Sequence, residues 1–390
     1  MRTLKFPKVP DSFYDNLGYP KEGKCSDVVV ISQSEADALY EAAGECFQLV
    51  DKATEYAIEH NLLSELGIPE YAAPIIRKTF YEFERHPHMI GRFDFAGGVN
   101  GLPIKMLEFN ADTPFSIVEV STIQYAVAKF YGLDPDNWQY NTLFEALQEF
   151  FQYLKSKHPN MSTTFVNAQD GEDDLNTQII QEAASQAGVE GVYLHWTDLC
   201  IDRDHGPCTV SADGVYLDKI FNTIVKMVPW DLLFIEDENM ARELIKAMEK
   251  DPDLVVSNPP YAAVYQSKGL MALMHQLFPD HPYLLQASRE PLQGVPAYVT
   301  KPIWGREGCN ITMYDAAGEQ VKTQGFYNKQ PLLYQEKAEL AHDGNFFYQA
   351  GVFVSMGEPC GIGFRRSPFP IIVTDDELCG HIVDHEGVPK

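Results

Sequence analysis

Positive charge is scarce in this chain: 30 Lys and Arg residues stand against 56 Asp and Glu, a formal net charge of −26 over 390 residues. Proteins hold nucleic acid mainly by neutralising phosphates with basic side chains, so a nucleic-acid partner is not expected. The same field attracts small polycations. Cysteine is sparse: the seven residues are scattered, with no CxxC pair and no Cys/His cluster, which argues against structural zinc and a disulfide framework. No run approaches the roughly 18 apolar residues of a membrane span, and the opening MRTLKFPKVPDSFY lacks the apolar stretch of a secretion signal. A soluble, cytoplasmic protein with no membrane partner is therefore expected. What is present is a hydrophobic fraction of 45%, enough to offset chain entropy in a folded protein of two or three domains.

Residues 33 to 60 repeat apolar side chains at intervals of three and four, among them Ala43, Phe47, Val50 and Ala57. That period predicts an amphipathic helix, with Ser34 as its N-cap. A second helix is expected over Ala72 to Arg85, so the first ninety residues read as a helical cap. The runs IGRFDFAGG and PIKMLEFNA then alternate like two strands joined by a VNG turn, which predicts a hairpin. Asp112-Thr113-Pro114 has the chemistry of a helix start, and the helix it opens is expected to end at Gly132. TTFVNA, LNTQIIQEAASQAG and GVYLHW form a strand, helix, strand unit with parallel pairing. CTVSADGVYL is expected to be a hairpin turning at its Asp-Gly dipeptide. From about residue 298 the pattern is strand-rich. Residues 298 to 366 hold seven basic and seven acidic side chains, so this neutral module in an acidic protein is where an anionic ligand is expected.

Two runs carry most of the chemical information. In GRFDF and LEFNADTPFS, residues two apart on a strand share a face, so Arg92 pairs with Asp94 in direction and Glu108 with Asn110. Two carboxylates and an amide oxygen on neighbouring strands suit Mg²⁺, with Arg92 contacting a phosphate or carboxylate. A cross-strand lattice of salt bridges on a solvent face fits the same spacing. In TKPIWGREGCNI, Lys301 precedes a loop containing Gly305 and Gly308, which can hold phosphate through backbone N–H groups, or can be an ordinary hairpin turn. Lys268 in SKG, the LLYQEK backbone with Glu336, and Arg365 or Arg366 in GIGFRR are weaker candidates for nucleotide contacts, which solvated side chains and a plain sheet strand fit as well. The 11 histidines form no HExxH spacing, and no GxSxG elbow appears, so covalent catalysis is not expected.

Taken in order, GRFDF, LEFNADTPFS, KMVPWDLLF, YQSK, YVTKPIWGREGCNI, LLYQEK and GIGFRR resemble the synthetase domain of the glutathionylspermidine synthase family, across most of residues 80 to 375. The resemblance implies an α/β protein with the ATP-grasp ligase fold, a βαβ-containing pre-ATP-grasp domain and an N-terminal helical cap. It implies a cap over 1–90, a substrate- and metal-binding region over 91–255 and a nucleotide-binding region over 256–390. By position it makes Asp94, Glu108 and Asn110 the magnesium ligands and Arg92 the transition-state arginine. Lys268, Lys301, Gly305, Gly308, Gln335, Glu336 and Arg365 become the ATP contacts, and Thr113 and Ser116 the contacts to a peptide-like acid. The implied reaction joins that acid to an amine or polyamine at the expense of ATP, and no counterpart of the family's amidase domain is expected. A catalytically degenerate ATP-binding module and a small-molecule kinase are the alternative readings.

Overall fold

Alternating and β-branched runs from distant parts of the chain pair with one another, and that pairing fixes where the chemistry sits. The computed structural model describes every residue except 7–8, 11–12, 15–23, 169–170, 212–216, 374–375 and 390. Among the described residues the architecture is mixed α/β with four sheets. The largest has eight strands. Seven follow one another across it in the order Arg2–Leu4, Lys24–Ile31, Glu377–Val383, Glu358–Ser367, Phe347–Ser355, Gly91–Ala96 and Lys105–Asn110, and Ala341–His342 adds to Phe347–Ser355. Only the Lys24–Ile31 and Glu377–Val383 neighbours run parallel; the other pairs are antiparallel. Val29, Phe93, Val352 and Ile362 from this sheet join one core with Ala36, Leu39, Ala43 and Val50 of the helix Gln33–Glu59.

That helix agrees with its sequence period, but its cap is Ser32 and not Ser34. The Ser32 hydroxyl accepts from Glu35 N while the Glu35 carboxylate accepts from Ser32 N at 2.8 Å, a reciprocal pair that needs the acid three residues after the cap. The second helix is shorter than expected, Ala73–Tyr81. The first ninety residues are also not wholly helical. Arg2–Leu4 and Lys24–Ile31 are strands of the large sheet, and the partner that makes Val28–Ile31 a strand lies at Gly380–Val383.

The strand, helix, strand unit is present as Thr163–Asn167, Gly171–Gln186 and Gly191–His195, with the strands parallel. Thr223–Lys226 and Val255–Ser257 extend it into a four-stranded parallel sheet. A small sheet of Cys200–Asp202, Gly206–Val210 and Leu217–Ile220 contains the expected hairpin, whose Asp-Gly turn lies outside the described residues. The fourth sheet is antiparallel, in the order Ala287–Ser288, Leu332–Glu336, Tyr298–Pro302, Thr312–Asp315 and Gly318–Lys322.

Asp112 does not start a helix. The following helical segment runs through a π turn, Glu119–Ile123, into Gln124–Phe130. The carboxylate of Asp112 goes instead to Lys226 Nζ at 2.7 Å and to Trp230 N. Burial explains the choice: both side chains of the ion pair are fully enclosed, where an isolated charge is far more costly than an uncapped helix end.

Candidate functional site

Strands Gly91–Ala96 and Lys105–Asn110 place Arg92 opposite Asn110 and Asp94 opposite Glu108. The four polar side chains therefore share one face, as the two-residue period requires. A register shift after Asp94 limits the arrangement to these residues. Arg92 forks onto Asp94, Nε to Oδ1 at 2.6 Å and Nη2 to Oδ2 at 3.0 Å, and donates a third bond from Nη1 to Phe115 O at 2.8 Å. Asn110 Nδ2 donates to Asp94 Oδ2 at 3.1 Å.

Lys268 precedes the helix Gly269–Leu277, and its Nζ reaches Glu108 Oε2 at 3.0 Å and Gly305 O at 2.6 Å. Lys301, on the central strand Tyr298–Pro302, donates to Leu107 O at 3.0 Å. All thirteen residues singled out in the sequence line one cleft of about 570 Å³. Arg92, Asp94, Glu108, Asn110, Thr113 and Ser116 come from the hairpin and the segment after it. Lys268, Lys301, Gly305, Gly308, Gln335, Glu336 and Arg365 come from the later third of the chain. The cross-strand charges are thus part of a cleft wall, not a lattice on an open face.

Burial raises the pKa of the Glu108 carboxyl, but Lys268, Lys301 and Arg92 outweigh it and hold the group at about 2, so it is an anion throughout the physiological range. Burial also depresses Lys301, to about 8, against the opposing pull of Glu108. At Gly308 the backbone has φ +68°, and a Cβ there would sit 2.4 Å from Ile372 O. Only glycine suits that position. Between the two glycines of this loop, Arg306 forms an ion pair with Asp231 at the start of the helix Trp230–Glu236. Ser116 also has a left-handed backbone, φ +74°, at the end of the segment that follows the hairpin.

The donor set bears on a divalent cation. Among the described residues no group of three His, Cys, Asp or Glu side chains is gathered as a metal cluster. Asp94 uses both oxygens to accept from Arg92 and Asn110, so a cation there competes with those bonds. Glu108 remains ionised with one oxygen committed to Lys268, and Asn110 engages Asp94 through its nitrogen, which leaves its carbonyl oxygen. One carboxylate and one amide oxygen fit Mg²⁺, which completes its shell with water and phosphate.

Several groups that shape the site were not singled out in the sequence. Asn258 Nδ2 donates to the carbonyls of Ile90, Ala111 and Asp112, and its Oδ1 accepts from Met89 N and Ile90 N. Gln266 Oε1 accepts from Ala111 N and Asp112 N. With the Asp112–Lys226 pair, these bonds fix the backbone immediately after Asn110. The available signal was Lys226 itself, a lysine inside the otherwise apolar run TIVKMV, because lysine is rarely buried unless paired.

Residues 12–384 match the family described as glutathionylspermidine synthase preATP-grasp. A Haemophilus influenzae protein with the provisional name acid–amine ligase is 29% identical over 320 residues, covering 78% of this chain and 76% of that protein. The glutathionylspermidine synthase of Crithidia fasciculata is 27% identical over 71% of this chain and 40% of its own length. The bifunctional glutathionylspermidine synthetase/amidase of Escherichia coli is 25% identical over 89% of this chain and 58% of its own length. The chain therefore spans about half the length of the latter two relatives.

Proposed function

The chain belongs to the glutathionylspermidine synthase family, and from that premise we propose that it is an ATP- and Mg²⁺-dependent ligase joining a peptide-like acid to an amine through an acyl phosphate. Glutathione is the acid, and spermidine or a similar polyamine the amine, suggested by the relatives' names; the −26 charge favours the polycation. The observation that supports this reading most is the meeting of Glu108 and Asn110 with Lys268 and Lys301 in one cleft.

A carboxylate is a poor electrophile. Its oxygen attacks the γ-phosphorus of ATP, ADP leaves, and the acyl carbon gains a phosphate leaving group. The amine nitrogen then attacks that carbon, phosphate departs, and the nitrogen loses a proton to give the amide. Lys268 and Lys301 bring fixed positive charge to the phosphates, with the Gly305–Gly308 loop adding backbone N–H groups. Gln335 and Glu336 contact the adenine and ribose side, and Arg365 closes the same wall. Arg92, anchored by Asp94 and Phe115 O, is preorganised to stabilise the oxyanion of the tetrahedral step. Thr113 and Ser116 hold the acid. When bound, Mg²⁺ neutralises charge on the transferring phosphoryl group, and Glu108 and Asn110 would hold it. No protein nucleophile is required.

Purified protein with Mg·ATP is expected to release ADP when glutathione and spermidine are both present, with a product of amide mass. Glu108→Ala is expected to lower turnover by about a hundredfold or more. A panel of acids and amines that yields no ADP in any pairing overturns the reading, and a phosphate-ester product replaces it with a kinase.

A further inference from the structure

Asn176 belongs to the helix Gly171–Gln186, outside every run that carried the family resemblance, and it is 1% exposed. Its Oδ1 accepts from Ile117 N at 3.1 Å and Val118 N at 3.3 Å, the first amides of the helical segment that follows Ser116. Two backbone donors on one atom settle which end of the side chain is oxygen. The nitrogen end is therefore Nδ2, and among the described residues it has no hydrogen-bond partner. Buried amide donors are nearly always satisfied, so an orphan in a cleft wall points to something that arrives there. Asn176 lines the same cleft as Thr113, Ser116 and Glu119.

We propose that Asn176 Nδ2 donates a hydrogen bond to an amide carbonyl oxygen of the acid substrate, making Asn176 a specificity-determining residue for a peptide-like acid. The inference rests on the ligase reading given above. An N–H donor selects an acceptor, which excludes the protonated amine, because an ammonium group offers only donors. The phosphates are matched elsewhere, by Lys268 and Lys301. Asn176 is tied to Ile117 and Val118, next to Ser116, so it stands on the acid side of the cleft. A neutral donor suits a neutral carbonyl, whereas the reacting carboxylate has Arg92. The side chain thus links two tasks: its oxygen holds the Ser116–Val118 backbone in place, and its nitrogen reads the ligand beside it.

Asn176→Asp separates them. The aspartate keeps the size and the two acceptor bonds to Ile117 and Val118, but presents an oxygen where the donor was. With glutathione as the acid, its KM is expected to rise about ten- to a hundredfold while the KM for ATP stays within error; the buried carboxylate, accepting from Ile117 N and Val118 N, is expected to lower the thermal midpoint of the still folded variant. In ¹⁵N-labelled wild-type protein, the Asn176 side-chain amide resonance is expected to shift with glutathione and not with spermidine. An unchanged glutathione KM in a folded variant, or a resonance that does not move, overturns the assignment and leaves Asn176 a helix cap only. If the wild type shows no acid-stimulated ADP release, the ligase reading itself falls, and this proposal falls with it. The two failures are thus told apart by the wild-type assay.

Discussion

His381 is fully buried and has its tautomer written by its neighbours. Its Nε2 accepts from Tyr140 N at 2.9 Å, and its Nδ1 faces Gln124 Oε1 at 3.2 Å, so the ring is neutral with the proton on Nδ1. Burial pushes its pKa down to about 3, and burial likewise pushes His88 to about 4. Both folded values lie below the usual histidine value of about 6.5. The unfolded chain therefore takes up protons first: stability is intact above about pH 6.5 and falls as the pH drops toward 4, by about 3 kcal/mol for each ring. Urea unfolding between pH 7 and pH 4 is expected to show this loss. A flat profile would mean that the rings can protonate in place. The legibility of single residues follows the same physics. Arg92, Asp94, Glu108 and Asn110 were readable because a strand with period two dictates which side chains share a face. Asn176 was not, because an asparagine in LNTQII carries no local mark of the backbone it will meet from residue 117.

At the scale of elements, the hairpin that carries Glu108 and Asn110 is held from outside itself. Asp112, just past its second strand, is clamped by Lys226 from the parallel sheet, and the backbone between is clamped by Asn258 and Gln266. Lys226→Ala leaves the Asp112 carboxylate buried without its cation and is expected to cost about 3–5 kcal/mol, read as a lowered urea midpoint. Adding Asp112→Asn to that variant should recover a large part, since it removes the stranded charge. If both variants unfold at the wild-type midpoint, the pair does not hold the hairpin. The element boundaries were legible where local chemistry decides them, as in the long helix Gln33–Glu59 and the Gly171–Gln186 crossover. They were misread where a tertiary partner decides them. Asp112 has the side chain of a helix cap, and only the distant lysine reveals that it is spent on an ion pair. Val28–Ile31 is only a four-residue apolar run until Gly380–Val383 lies beside it.

For the whole molecule, on the proposed ligase reading, the charge imbalance would act on the amine before any contact forms. A net charge of this sign attracts a polycation to the molecule as a whole, and added salt screens it once charges lie beyond about 8–10 Å. The KM for spermidine is expected to rise about tenfold between about 0.02 and 0.3 M salt, with a much smaller change for glutathione. Equal responses for the two substrates would remove the field from the account. Mixed α/β content and a strand-rich later third were visible in the sequence. The joining of the two ends of the chain into one sheet was not, because no local pattern records a pairing between residues 28 and 380. That joining has a consequence for biosynthesis. The strands up to Ile31 and those of the Gly91–Asn110 hairpin are separated in the large sheet by three strands that are translated after both of them. A nascent chain that stops short of Phe347 carries both flanks of this sheet without its middle, with open backbone edges facing each other across a gap. Assembly of this sheet is thus deferred until residues 347–383 have been made, and its unpaired edges are open to misplaced strands in the meantime.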